Sequence, residues 1–313
     1  MSEKQLPQCA GAVLMVRPAA FGYNPETAAT NRFMREEPQA NRVRELARAE
    51  FEGAARSLRG EGIEVCVVED TPDPPKPDAV FPNNWASFHT DGTVVLYPMQ
   101  APTRRLERRA EIIASVTREL GFHVRRTLDL TAHESAGRFL EGTGSLVLDH
   151  VHRVAYACRS PRTHPQVVAE WAQALGYEPC LFEACDRAGV ALYHTNVVLA
   201  VGTRFALIGS EAVAAEDRAS LLARLAASGR EVIEVGHEEI TGFAGNVLEL
   251  ATWDEALGDA SVLVMSSTAR HALSADAFAR LSACCDAVVA IPVPTIERVG
   301  GGSIRCMLAE VFV

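Results

Sequence analysis

Residues 194–235 contain the pattern from which the fold of this chain can be predicted. It begins with HTNVVLAVGTRFALIGS (194–210), where two β-branched, apolar runs flank a GT turn, a pattern that predicts a β-hairpin. EDRASLLARLAASG (216–229) follows, with the apolar spacing of a helix and a closing glycine. EVIEV (231–235) then reads as a short strand. The stretch therefore predicts a hairpin, a helix and a strand in that order.

The same unit recurs along the chain. Predicted hairpins at 81–99, 141–160 and 245–267 are each followed by a predicted helix (104–120, 164–176, 274–286) and a predicted strand (122–130, 178–184, 287–293). A further unit has its helix at 41–60 and its strand at 63–70, but its hairpin would have to combine VLMVRP (13–18) with IRCMLAEVF (304–312). Five units of roughly 50–60 residues, closed by pairing of the two ends, favour a ring that makes residues 1–313 a single domain. An ordinary α/β sandwich with similar units stays the alternative.

Composition narrows the class of protein. Hydrophobic residues make up 48% and charged residues 22%, as in globular proteins, and the net charge of −10 argues against nucleic acid or an anionic membrane as the main partner. No apolar run approaches the roughly 20 residues of a membrane span, and the first residues lack a signal-peptide pattern. The eight cysteines are dispersed without a CxxC pair, which predicts a reduced, cytoplasmic protein with no metal site. Whether the chain forms a homo-oligomer is left open.

Three residues at the starts of predicted hairpin strands are candidate catalytic residues. Cys306 follows three glycines in GGGSIRC, where the backbone can approach a ligand closely and the neighbouring Arg305 favours a thiolate. His194 opens HTNVVLAV and Glu141 opens EGTGSLVL, so in a ring all three would converge on the axis. A thiol nucleophile, a histidine that moves protons and a carboxylate suffice for addition–elimination at a planar carbon, without a cofactor. The alternative for each is structural: a core thiol, a strand histidine and a turn carboxylate.

Polar groups that could hold a small substrate lie on the same side of the predicted ring. PDAVFPNNW (77–85) opens a hairpin, and Asn83 and Asn84 offer amide donors and acceptors to a planar group, although two asparagines after a proline are also typical of a turn. Arg104 and Arg159 could bind a carboxylate in a fork, or they could be surface arginines.

In combination, PDAVFPNN, EGTG, HTN and GGGSIRC resemble the guanidino-group modifying superfamily with the five-bladed pentein propeller, over almost the whole chain. This superfamily includes arginine deiminases, dimethylarginine dimethylaminohydrolases and amidinotransferases, and the likeness is strongest to citrulline utilization hydrolases. The resemblance implies an α/β propeller with pseudo-fivefold symmetry. It also implies Cys306 as the nucleophile, His194 as the general acid/base and Glu141 as their carboxylate partner. The implied substrate contacts are Asp78 at the α-amino end, Phe81 within the motif, and Arg104 and Arg159 at the α-carboxylate.

Two departures from the family pattern point to the substrate. Asn84, with Asn83 beside it, and Asn196 stand where the resemblance implies acidic residues that grip a guanidinium. Because an unpaired carboxylate facing a neutral group is costly, amides at both contacts suit a neutral ureido group better. The sequence therefore predicts hydrolysis of citrulline to ornithine, carbon dioxide and ammonia. The alternatives are a guanidine hydrolase (arginine dihydrolase, arginine deiminase or dimethylarginine hydrolase), an amidinotransferase, and a non-catalytic binding module such as the ribosome anti-association factor that shares the propeller.

Overall fold

The computed structural model describes residues 7–254 and 258–313, so the first six residues of the stretch read for a signal peptide lie outside it. The strands are β1 Ala12–Arg17, β2 Glu64–Glu69, β3 Ala86–Phe88, β4 Thr93–Leu96, β5 Arg126–Asp129, β6 Val147–Asp149, β7 Val154–Cys158, β8 Glu178–Phe182, β9 Leu199–Val201, β10 Phe205–Ile208, β11 Glu231–Glu234, β12 Leu248–Asp254, β13 Gly258–Ser266, β14 Ala287–Ile291 and β15 Ala309–Val311. The helices are α1 Pro25–Ala28, α2 Ala40–Gly60, α3 Pro102–Arg105, α4 Ala110–Leu120, α5 Gly142–Ser145, α6 Pro165–Leu175, α7 Ala215–Ala227, α8 His237–Thr241, α9 Ser267–Ala272 and α10 Ala275–Ala283.

Every unit has the same strand pairing. In residues 194–235, β9 and β10 form the predicted antiparallel hairpin, and β11 pairs with β10 in parallel after α7. The sets β6–β7–β8 and β12–β13–β14 repeat this order. The split unit pairs β1 antiparallel with β15, Ala12 opposite Val311, and β2 parallel with β1. Because β15 also pairs with β3, two units merge into the six-stranded sheet β2-β1-β15-β3-β4-β5. The described strands thus form four sheets and no closed barrel, and the five-bladed propeller stays a prediction.

The helices follow their sequence patterns with one correction. α2 buries Val43, Ala47, Phe51 and Leu58 along one face, as the apolar spacing predicts. α4 and α6 end at glycines with positive φ, Gly121 at 69° and Gly176 at 73°, a conformation that favours glycine. The prediction of one helix over 104–120 is wrong. The chain leaves the helix after α3, and α4 begins only at Ala110, because the backbone at Arg109 is extended (φ −109°, ψ 128°) and interrupts the helix.

Short helical turns precede the first strand of each unit and meet one another. They are Pro82–Asn84, α5, Thr195–Val197, the turn at 243–246 and Ile304–Met307. The Thr195 hydroxyl donates to the Ser145 carbonyl at 2.5 Å, and Gly245 packs so closely on the Val197 carbonyl that a side chain would collide with it. The sequence segments predicted to converge therefore lie side by side.

Apolar side chains fill the space between these sheets and the helices. Large buried rings include Trp85, Phe205 and Trp171, whose indole N–H donates to the Tyr97 hydroxyl at 2.9 Å. Among the described residues, no helix is both long and apolar enough to cross a bilayer.

Candidate active site

A small cavity lies where the helical turns meet, and six of the predicted site residues line it. These are Asp78, Phe81, Asn84, Arg104, His194 and Cys306. The glycine stretch Gly300–Gly302 forms one wall against the Phe81 ring, and a side chain on Gly302 would come within 2.9 Å of that ring. A larger cavity of about 590 Å³ opens nearby and shares Tyr193 with the small one. It contains none of the predicted catalytic residues, so the small cavity is the candidate site.

The Cys306 sulfur is buried and contacts two side-chain amides. Asn246 Nδ2 donates to it at 3.2 Å and Asn196 Nδ2 at 3.5 Å. Arg305, expected from the sequence to favour the thiolate, points elsewhere: its Nη1 donates to the Thr143 hydroxyl at 3.2 Å and its Nη2 to Glu310 at 3.5 Å. The donors at the sulfur are therefore neutral amides. Asn196, predicted to bind substrate, contacts the sulfur and does not line the cavity.

His194 is held by Glu141. The imidazole Nε2 lies 2.9 Å from Glu141 Oε2, and because a carboxylate can only accept, Nε2 carries the proton and Nδ1 keeps its lone pair. Burial lowers the pKa of His194 to about 4, outweighing the opposing effect of Glu141, so the imidazole is neutral at pH 7. Gly144 allows the close approach here, since a side chain at that position would lie 2.5 Å from Asn84 Nδ2 and 2.7 Å from His194 Nδ1.

Glu141 stays ionised although it is fully buried. Burial raises the pKa of its carboxyl, but the Arg162 guanidinium at 3.3 Å, the His194 hydrogen bond and Arg104 at 4.0 Å together bring the pKa well below its usual range. The Gln100 backbone N–H donates to the other carboxylate oxygen at 3.1 Å. The negative charge of Glu141 is therefore already matched by Arg162.

Arg104 fixes the orientation of the Asn84 amide. Its Nη1 donates to Asn84 Oδ1 at 2.7 Å, and since a guanidinium has no acceptor, the Asn84 oxygen must face it. Asn84 Nδ2 is buried and has no hydrogen-bond partner among the described residues. Asn84 therefore presents a free donor to the cavity.

The other nitrogens of Arg104 are also engaged. Nε and Nη2 donate to the two oxygens of Glu107 at 3.0 and 2.9 Å, and Nη2 donates to the Phe81 carbonyl at 3.0 Å. Burial raises the pKa of Glu107 to about 7 in spite of this pairing. The nitrogens of the predicted fork are therefore bound to the protein's own groups in this structure, where Arg104 positions Asn84, and binding of a substrate α-carboxylate by Arg104 stays a prediction.

Asp78 is a carboxylate that lines the cavity. One of its oxygens accepts from Asn24 Nδ2 at 2.7 Å and from the Thr27 hydroxyl at 3.1 Å. Burial raises the pKa of Asp78, while Arg104 and these hydrogen bonds oppose the rise. A cationic group that entered the cavity would be matched by this carboxylate.

Two further predicted substrate contacts, besides Asn196, lie outside the cavity. Arg159 is exposed beyond the end of β7, because the chain turns at Ser160–Thr163 and brings Arg162 inward in its place. Arg162 is buried, and its Nη2 donates to the Thr27 carbonyl at 2.6 Å. Asn83 is also buried, but it faces away from the cavity, where its Nδ2 donates to the Thr143 hydroxyl at 3.3 Å.

Sequence reasoning missed Asn246, Arg162 and Glu107. A signal for Asn246 was present: the segment Asn246-Val-Leu repeats the pattern of Asn196-Val-Val, one unit further along the chain. Both asparagines occupy the helical turn before the first strand of their units, as do Asn84 and Cys306. Comparing the units position by position would have placed Asn246 beside the nucleophile.

The protein is a member of the pentein guanidino-modifying superfamily, as its family match and its fold show. The sequence model of one family, N,N dimethylarginine dimethylhydrolase, eukaryotic, matches residues 17–313. The chain belongs to that family. No curated protein sequence matches it.

Solved structures share the fold. A Cys-to-Ser mutant of the N-terminal domain of ArgZ, an arginine dihydrolase from cyanobacteria, bound to substrate, superposes with a TM-score of 0.73 at 18% identity, over 96% of this chain and 98% of that one. Unliganded AgrE gives a TM-score of 0.73 at 19% identity, over 96% of this chain and 39% of AgrE. A mutant dimethylarginine hydrolase (DDAH) from Pseudomonas aeruginosa, in complex with citrulline, gives 0.65 at 14% identity, over 96% and 99%. The chain thus spans about two fifths of AgrE and of full-length ArgZ.

Proposed function

We propose that the protein hydrolyses the terminal ureido group of citrulline, giving ornithine, carbon dioxide and ammonia. The observation that carries the proposal is the free N–H donor of Asn84, whose orientation Arg104 dictates. A ureido group has a carbonyl oxygen that accepts such a donor. A guanidinium has only N–H donors and would leave Asn84 Nδ2 unpaired, at a cost of roughly 1–3 kcal/mol for a buried polar group.

The charges around His194 support the same substrate. Glu141 accepts the His194 hydrogen bond, and Arg162 lies 3.3 Å and Arg104 4.0 Å from its carboxylate. A cationic guanidinium would have to enter beside two guanidinium groups that already neutralise this carboxylate. A neutral ureido group meets no such repulsion.

The chemistry uses side chains alone. The Cys306 thiol transfers its proton to His194 Nδ1, and the thiolate adds to the ureido carbon. His194 returns the proton to the departing nitrogen, which leaves as ammonia, so that an S-linked thiocarbamoyl intermediate remains. His194 then takes a proton from water, which attacks this carbon and breaks the C–S bond. The carbamate product of that step releases carbon dioxide and leaves ornithine.

Other residues hold the substrate. Asp78 binds the α-ammonium group, since its carboxylate lines the cavity and can pair with a cation. Arg162 lines the cavity where Arg159 does not, and its nitrogens hold Glu141, Thr27 and Thr30 around the bound substrate. Phe81 packs against the aliphatic part of the substrate.

A guanidine hydrolase is the second candidate, and the comparisons favour it. The chain belongs to a dimethylarginine hydrolase family, and the solved structures that share its fold include an arginine dihydrolase. Arginine or a methylated arginine would then be attacked by the same thiol.

A substrate panel separates the two. Purified protein is incubated with citrulline, arginine and methylated arginines, and ornithine, citrulline and ammonia are measured, with Cys306→Ser as the inactive control. We expect ornithine and ammonia from citrulline. Citrulline formed from arginine, without ornithine formed from citrulline, would refute the proposal in favour of the second candidate. Transfer to an added amine in place of hydrolysis would indicate an amidinotransferase.

The same proposal covers the whole chain. The five units would form one pentein propeller around the helical turns, residues 1–313 would be one catalytic domain, and the protein would act in the cytoplasm on a free amino acid. Size-exclusion chromatography with light scattering would give the oligomeric state.

A further inference from the structure

Asn246 lies beside the nucleophile but outside the substrate cavity. It is buried, its Nδ2 donates to the Cys306 sulfur at 3.2 Å, and it lies on the turn at 243–246 that precedes β12. The cavity lining includes Cys306 but not Asn246. Asn246 can therefore act on the reaction only through the sulfur.

The orientation of the Asn246 amide is determined by its surroundings. Nδ2 also donates to the backbone carbonyl of Asn196 at 3.4 Å, and because that carbonyl can only accept, the nitrogen and not the oxygen must face it. The same nitrogen reaches the sulfur with its second N–H. A thiolate accepts hydrogen bonds, whereas a thiol is a weak donor, so two amide donors at one sulfur favour the thiolate.

We propose that Asn246 is a positioning residue that, together with Asn196, aims the Cys306 sulfur into the cavity and stabilises the thiolate formed when His194 takes its proton. The inference deepens the proposed function, since it rests on Cys306 being the nucleophile. Arg305 cannot supply this effect, because its side chain is bound to Thr143 and Glu310.

Other charged or titratable groups also face the site. They are His194, Glu141, Arg104, Arg162, Asp78 and Tyr193. Burial raises the pKa of Tyr193, and the nearby Cys306 adds to that rise. All of these groups remain in an Asn246 variant, so a difference between the variant and the parent protein isolates the amide.

The test is the pH dependence of Cys306 alkylation by iodoacetamide, followed at that residue by mass spectrometry. Loss of one hydrogen bond to a charged group corresponds to roughly 1.5–3 kcal/mol, so the pH of half-maximal labelling should rise by about one to two units in Asn246→Leu. Asn246→Asp, which keeps the shape of the side chain, should raise it further, because a carboxylate would face the thiolate. Asn83→Leu is the matched control: Asn83 is equally buried but binds Thr143, so its labelling curve should follow that of the parent protein.

Steady-state kinetics on the substrate that the panel identifies give a second readout. Because Asn246 does not line the cavity, kcat should fall at least tenfold in Asn246→Leu while KM changes by less than about threefold. A labelling midpoint unchanged in both Asn246 variants, with circular dichroism like that of the parent, would overturn the inference. Alkylation requires no substrate, so this result is independent of whether citrulline proves to be the substrate. If the leucine variant does not fold, the aspartate variant alone decides.

Discussion

Replacing Asn84 by Asp should exchange the substrate preference. The aspartate would keep one oxygen on Arg104, at the position where Asn84 Oδ1 now lies 2.7 Å from Nη1, and would present its second oxygen in place of the free Nδ2. The cavity would then offer an acceptor where it now offers a donor. A ureido oxygen would lose its hydrogen bond and face a carboxylate, whereas a guanidinium would gain a charge-assisted partner.

The magnitude follows from these two changes. Loss of the neutral hydrogen bond costs about 1 kcal/mol, and the charge-assisted bond to a guanidinium contributes roughly 1.5–3 kcal/mol. The ratio of kcat/KM for citrulline to that for arginine should therefore fall by about 3 kcal/mol, or roughly two powers of ten. The pairing of Arg104 with Glu107 remains in the variant, so the orienting contact is kept.

The assay is kcat/KM for both substrates, measured by ammonia and ornithine release, in the parent, in Asn84→Asp and in the neighbouring control Asn83→Asp. The control should leave the ratio within about fivefold of the parent, since Asn83 does not line the cavity. A ratio unchanged in Asn84→Asp, in a variant that retains activity, would refute the argument that the free donor of Asn84 selects the ureido group.

Three other features give measurable predictions. Gly144→Ala should lower kcat/KM at least tenfold, because the added methyl group would displace the His194 imidazole and the Asn84 amide. The control Gly53→Ala lies in an open part of α2, so it should keep its activity and gain up to about 1 kcal/mol of stability. Equal activity in both variants would contradict the steric argument. Burial lowers the pKa of His150 to about 3, so the stability that comes from keeping it neutral is present above pH 6.5 and is lost as the pH falls toward 3. In urea unfolding, His150→Gln should remove about 2 kcal/mol of the loss between pH 7 and pH 5, and an identical pH dependence in the variant would refute this. Lys76→Met should lower the free energy of unfolding by about 3–5 kcal/mol, because it leaves the buried Asp70 carboxylate, now 3.2 Å from the Lys76 ammonium, without a charge partner. Adding Asp70→Leu should recover most of that loss. A double variant no more stable than the single one would show that the ion pair is not the cause.

The sequence predicted the units well because each depends on local patterns. Apolar spacing and closing glycines give α4, α6 and α7, and the two β-branched runs around a turn give β9 and β10. The break after α3 was missed because residues 104–120 keep the apolar spacing of one helix, and that spacing does not reveal the extended backbone at Arg109.

Site residues were predictable where they belong to a motif and not where a turn decides their direction. Arg159 and Arg162 stand three positions apart in one short segment, and only the turn at Ser160–Thr163 determines which of them faces inward. The position of Arg104 in the cavity followed from the resemblance, but its partners Asn84 and Glu107 did not, since hydrogen bonding in a buried cluster depends on tertiary geometry.

Pairing between β1 and β15 has a consequence for how the protein can be assayed. The strand that follows the Cys306 turn finds its partner at the opposite end of the sequence, so this contact has a very high sequence separation and is expected to form late in folding. Helices such as α2 can form from local sequence long before then. A molecule can thus give a nearly complete helical spectrum while its thiol still lacks native neighbours. Titration of Cys306 with a substrate-like reagent would therefore measure the fraction of fully folded molecules in a preparation, which spectroscopy of the helices cannot do.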